Sequence, residues 1–328
     1  MALSIPYDHG LISPQLTVWQ SYLKNAKTRL FTHTPKAGLL GMIAARLASV
    51  RCRVYTCHGL PAETESGLKR RLLIWAERVS CASANRVLAV SQSLLNLLGE
   101  HKICSEKKLT VLANGTACGV DLNRFSLTRE LIEAGRAVRR NHSISTDETV
   151  IGFIGRLVPD KGIHILVESF VRLCESNPNV RLLIIGDFEP HRGRLPDKTT
   201  QALSNHPRIV HVGFTHQIEP YYAAMDMLVL PTRREGFPYT ILEAAAMGLP
   251  VVATEVTGCV DAVLEGRTGF LVPPEDVTAL TAVIQKLLAS PRLRQQMGCE
   301  GTKRVEEEFT SQRLLDAHVQ LYRGMLGL

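Results

Sequence analysis

The chain has no apolar run of the roughly 18–20 residues that a bilayer-spanning helix needs. Its opening, Met1-Ala-Leu-Ser-Ile-Pro-Tyr-Asp-His9, has no basic stretch followed by an apolar one, so no secretory leader is expected. Cysteine occurs 8 times, at 52, 57, 81, 104, 118, 174, 259 and 299, but never as Cys-x-x-Cys. That spacing excludes a zinc ribbon and fits reduced thiols in a cytoplasmic protein. No His-Glu-x-x-His stands in the chain, and no Asp-x-Asp closes a strand, so no metal is expected. Aromatic residues make up only 5% and do not interleave with the basic ones, which argues against a nucleic-acid partner.

The 328 residues, 45% apolar and 21% charged, are enough for two domains with separate cores. The net charge of +7 is uneven. Residues 1–145 hold 20 Lys and Arg against 9 Asp and Glu, a balance of +11, whereas residues 146–328 hold 18 against 22, a balance of −4. The basic half fits an anionic membrane face or plain solvated surface. In Lys69-Arg-Arg-Leu-Leu-Ile-Trp75 basic residues adjoin an apolar face bearing a Trp, as an interfacial helix requires.

Short apolar runs alternate with amphipathic stretches, the pattern of α/β layers built on parallel sheets. Strands are expected at 29–33, 53–57, 86–90 and 109–112, with helices at 37–48, 67–84 and 92–100. A polar stretch, 122–148, reads as a linker with one short helix. Strands then recur at 150–154, 181–185, 209–212, 227–230, 251–253 and 269–272. Between and after them come helices near 162–175, 197–204, 219–225, 239–247, 258–264, 276–289 and 310–326. The resulting division is residues 1–145, 146–308 and a terminal helix over 309–328.

Residues 230–257 carry the most information. An apolar strand ends at Leu230, a turn Glu235-Gly-Phe-Pro238 follows, then a helix, then Val251-Val-Ala253. Free amides and the helix dipole favour an anion at such a turn. Glu235 and Glu243, eight positions apart, are poor phosphate ligands but good acceptors for sugar hydroxyls. Together they point to a sugar nucleotide. Gly155 and Gly162 bracket Arg156 and Lys161 at another strand–helix junction, where two cations would stabilise a departing diphosphate.

The pattern Glu-Gly-Phe-Pro-x3-Leu-Glu-Ala-x-Ala-x-Gly-x-Pro-Val-Val-Ala-Thr resembles the E-x7-E signature of retaining glycosyltransferases of family four, which have the GT-B fold. Val150–Gly162, Asn114-Gly115 with Gly119-Val-Asp121, Thr32–Gly38 and Thr56–Gly59 match further elements of that family. The resemblance implies two Rossmann-like doubly wound domains facing across a crevice. It implies a sugar transferred from a nucleotide-sugar donor, most simply a UDP-sugar, to a saccharide or lipid-linked saccharide in cell-surface polysaccharide assembly. The configuration would be retained, with no cofactor and no metal. Arg156 and Lys161 are implied to contact the diphosphate, Glu243 the ribose, and Glu235 with Gly236, Phe237 and Pro238 the sugar or β-phosphate. Gly213 and Phe214 are implied near the base, and Asp187 is equally readable as a plain loop carboxylate. His58 is implied near the donor sugar and acceptor. Lys36 and Gly38 could bind acceptor phosphate, and His33 reads best as a buried, satisfied imidazole.

Relative to the resembled family the chain lacks a front strand, glycine-rich loop and helix, some fifty to sixty residues. The expectation is a loose first domain, or one that oligomerises through an exposed sheet edge, with weak catalysis. Two other readings share the donor site: another GT-B-like enzyme such as a sugar-nucleotide epimerase, and a non-catalytic sugar-nucleotide-binding protein. A cytoplasmic location, peripheral on the inner face of the membrane, is expected.

Overall fold

A computed structural model describes residues 29–326. The front-end expectations and the run from Ser4 to Tyr7 lie outside the described residues. The chain divides into two compact units. One comprises residues up to Ala89 with Leu95–Thr110 and the segment from Tyr322, the other Val90–Leu94 with Val111–Leu321.

The first unit holds a four-stranded parallel sheet in the order β1-β2-β3-β4, with β1 Arg29–Thr32, β2 Cys52–Cys57, β3 Arg86–Ala89 and β4 Leu109–Thr110. Strand β2 is buried almost throughout, as a strand covered on both faces must be. Helix α1, Pro35–Leu47, starts where Thr34 accepts from the Ala37 N–H and Pro35, having no N–H, needs no acceptor. Gly38 lets α1 lie against the sheet, because a Cβ there would sit 2.5 Å from the Tyr55 ring. Helix α2, Gly67–Ser83, is capped at its far end by Lys108, whose Nζ donates to the carbonyls of Cys81, Ala82 and Ala84 at 3.1, 2.9 and 2.7 Å. Helix α3 is Gln92–Glu100.

The second unit holds a six-stranded parallel sheet in the order β10-β9-β8-β5-β6-β7. Its strands are β5 Thr149–Ile154, β6 Val180–Ile185, β7 Ile209–Gly213, β8 Met227–Leu230, β9 Val251–Thr254 and β10 Gly269–Val272. The order runs outward both ways from the β5–β8 pair, so the topology switches there. In an open α/β sheet that is where ligands bind, at the carboxyl ends of the strands.

Two expectations about the course of the chain differ from the structure. The polar stretch after residue 122 is not a free linker. It forms α4, Arg129–Asn141, capped by Thr128, and packs on the second unit through Gly135 against Ala223 and through an Arg139–Asp226 ion pair of 2.7 Å. The boundary therefore falls well before residue 145. After α5 Ile163–Ser176, α6 Asp197–Asn205, α7 Glu219–Ala224, α8 Tyr239–Ala246, α9 Cys259–Ala262 and α10 Val277–Leu288 comes an unanticipated 18-residue helix, α11, Pro291–Glu308. It buries only Met297, Gly298, Gly301 and Val305, too narrow a stripe for apolar periodicity to reveal. Its glycines replace that stripe by close approach: a Cβ on Gly298 would lie 1.9 Å from the Gly248 carbonyl oxygen. The last helix, α12, is Ser311–Leu326, and its Tyr322 ring lies 4.6 Å from that of Phe31 in the first unit.

Candidate functional site

Four strands of the second sheet end in one neighbourhood, and the backbone stitches their ends together. The Gly155 N–H donates to the Ile185 carbonyl at 2.9 Å, the Leu157 N–H to that of Asp187 at 2.8 Å, and the Gly186 N–H to that of Gly213 at 2.9 Å. Gly186 has φ +138°, and a Cβ there would fall 2.0 Å from the Gly155 oxygen. Glycine is needed for that approach. Asp187 accepts the Phe214 N–H at 3.0 Å, which fixes the loop beyond β7 and leaves the Phe214 ring exposed.

The loop after β5 is locked to the loop after β8. Gly162, at φ +67°, would put a Cβ 1.8 Å from the Pro231 oxygen. The Asp160 carbonyl accepts from the Arg233 N–H at 2.8 Å and from the Thr232 hydroxyl at 3.0 Å, and the Asp160 carboxylate pairs with Arg234 at 3.2 Å. Lys161 donates to Glu235, with side chains only 21% and 13% exposed. Arg156 is half-exposed beside this junction and is steadied by Glu189 at 3.2 Å, which also binds Arg192 at 2.6 Å.

In the turn that follows, Gly236, Phe237 and Pro238 are buried. The Phe237 ring packs on Phe309 with centroids 5.4 Å apart. The N–H groups of Gly236 and Phe237 find no protein acceptor among the described residues, so these two donors stand at the entrance of α8. Glu243, one turn inside α8, accepts the hydroxyl of buried Tyr222 at 2.7 Å. Burial raises the Glu243 carboxyl above its usual range, against the lowering effects of Tyr222 and Arg124.

The first unit carries the remaining candidates. His58 follows β2, and its ring centroid is 5.7 Å from that of His33. Part of the His58 ring reaches solvent, yet desolvation first and the neighbouring His33 second push its pKa down to about 4, so it is neutral at pH 7. His33 is exposed, not buried as expected, because β1 ends at Thr32 and places it in the loop. Gly38 gives its N–H to the Thr34 carbonyl at 2.6 Å and its missing side chain to Tyr55. That leaves no free Gly38 amide for an acceptor phosphate, a correction to the expectation, while exposed Lys36 stands at the same helix start.

The structure thus brings Lys161 to Glu235, Gly155 to Gly186 and Asp187 to Phe214, whereas Arg156 answers to Glu189 and Glu243 to Tyr222. Sequence reasoning missed Asp160, Glu189, Tyr222 and Arg234. The charged cluster around Lys161 could have flagged Asp160, but nothing local marks Tyr222.

Known proteins share this architecture. Residues 6–120 match the family described as Glycosyltransferase Family 4, and residues 148–290 the one described as Glycosyl transferases group 1. The capsular polysaccharide biosynthesis glycosyltransferase CapM of Staphylococcus aureus is 36% identical over 293 residues, covering 89% of this chain and 76% of CapM. An Escherichia coli UDP-Gal:alpha-D-GlcNAc-diphosphoundecaprenol alpha-1,3-galactosyltransferase is 29% identical over 249 residues, 75% of this chain but only 62% of that enzyme. Among solved structures, Anabaena HepE in complex with UDP superposes with a TM-score of 0.79 at 22% identity, covering 96% of this chain and 82% of HepE. The fold is that of the GT-B glycosyltransferases. The chain belongs to the group 1, family 4 glycosyltransferases, and it is a transferase acting on a nucleotide sugar.

Proposed function

We propose that the donor is a UDP-sugar and that the acceptor is a saccharide or lipid-linked saccharide used to build a cell-surface polysaccharide, with the α configuration retained. The observation that carries this reading is the locked pair of loops at the β5–β8 switch point. It holds two cations, Arg156 and Lys161, beside Glu235 and the free amides of Gly236 and Phe237. A lysine ammonium has three donors. One directed at Glu235 leaves two for a β-phosphate, and Glu235 keeps an oxygen for a sugar hydroxyl. As the sugar–phosphate bond breaks, charge grows on the diphosphate, and preorganised cations stabilise that state selectively. The departing diphosphate itself would help deprotonate the acceptor hydroxyl on the same face. Glu243 would meet the ribose, and the backbone near Gly213 and Phe214 the base. With both cations in place the diphosphate needs no metal. A lipid-linked acceptor would put the enzyme at the inner face of the cytoplasmic membrane.

Turnover against a panel of UDP-sugars, with and without a saccharide acceptor, tests the proposal. Acceptor-dependent UDP release is expected. Rearranged sugar without acceptor would instead indicate an epimerase, and UDP binding without turnover a binding protein.

A further inference from the structure

Three of the most exposed large apolar side chains lie on α2: Leu68 at 71%, Leu72 at 58% and Trp75 at 60%. Spacings of four and three put them on one face of the helix. Of the residues that α2 buries, Glu77, Ser80 and Cys81 are turned away from that face, and Ser83 lies at the far end of the helix. The apolar strip therefore lies on the exposed first half of the helix. Lys69, Arg71 and Arg78 flank it, and Arg70 is exposed as well. Among the described residues the one acidic group paired with these cations is Glu65, 2.5 Å from Lys69.

We infer that this face of α2 docks on an anionic lipid surface. A helix lying in a membrane interface needs an apolar strip rimmed by Lys and Arg, and a Trp suits the headgroup boundary because its ring is apolar and its N–H polar. Charge chooses among the occupants. A second copy would bring four cations against four like cations. Residues 1–28 carry Asp8 against Lys24 and Lys27, so they offer no acidic complement. An anionic bilayer supplies the opposite charge and an apolar layer at once. The inference deepens the reading of a lipid-linked acceptor, because it names the surface that would bring the enzyme to one, but it does not depend on the donor.

The test is sedimentation of the full chain with vesicles of phosphatidylcholine alone and of phosphatidylcholine mixed with phosphatidylglycerol. Binding to the anionic vesicles is expected, weakened by salt. It should fall roughly tenfold or more in L68S/L72S/W75S and in K69Q/R70Q/R71Q. Both variants alter solvent-facing positions, so the melting temperature and turnover on a water-soluble acceptor should be unchanged. No binding by the native chain, undiminished binding by the apolar variant, or a dimer that the apolar variant abolishes would each overturn the inference. Normal vesicle binding without any turnover would sink the proposed function and leave this surface standing.

Discussion

Lys161 and Glu235 stand 74 residues apart in the chain and form an ion pair across the loops that follow β5 and β8. Both are well shielded from solvent, so neither is a surface charge free to reorient. The pair fixes the ammonium beside the proposed diphosphate site and makes Lys161 a preorganised group instead of a mobile one.

Lys161→Ala and Arg156→Ala should each leave a folded protein with kcat lowered on the order of 10²–10³-fold, the usual cost of losing one transition-state charge donor. Steady-state kinetics with a competent UDP-sugar checks this. Near-native kcat in a folded Arg156→Ala protein would remove that residue from the phosphate site.

The same two cations lead us to expect activity that survives EDTA. Loss of activity on chelation, restored by manganese or magnesium, would show that the diphosphate needs a metal after all.

Gly162→Ala should cost on the order of 2 kcal/mol or more, because it strains a left-handed residue and drives a methyl group into the Pro231 carbonyl. Denaturant unfolding would read the loss. Donor affinity should fall with it, since the displaced loop carries Lys161.

His58 should titrate with a midpoint near 4 by NMR, and His33→Ala should raise it by removing a neighbouring positive charge. The unfolded imidazole binds its proton near pH 6.5. Between these values the unfolded state holds more protons, so His58 favours folding above about pH 6.5 and loses that contribution as pH falls towards 4.

Glu77 is buried, and its Oε1 has no hydrogen-bond partner. Burial raises its pKa, so the folded state holds the proton more tightly than the unfolded chain does. Stability from this group is present below the unfolded carboxyl value and declines as pH rises through the folded one. Glu77→Gln should therefore raise the melting temperature at pH 8 and leave it nearly unchanged at pH 4. An equal shift at both would exclude ionisation as the cause.

The sequence by itself determined the strands of both sheets and the residue types that stand in the loops at their ends. Alternating apolar runs marked the strands of both sheets, since strands covered on both faces must be apolar whatever they neighbour. Arg156, Lys161 and Glu235 stood out as candidates because glycine and charge at a strand–helix junction are local signals, and Glu243 because it follows Glu235 by eight positions inside the next helix. Tertiary structure alone decided who meets whom. Lys161 reaches Glu235 because β8 lies beside β5, a neighbour relation no local pattern encodes, and Glu243 meets Tyr222 because the helices before and after β8 bring them together. The polar stretch after residue 122 joined the second unit because Gly135 and Arg139 found Ala223 and Asp226 there. Helix α11 stayed hidden because it packs through missing side chains, and a glycine contact leaves no hydrophobic period to read.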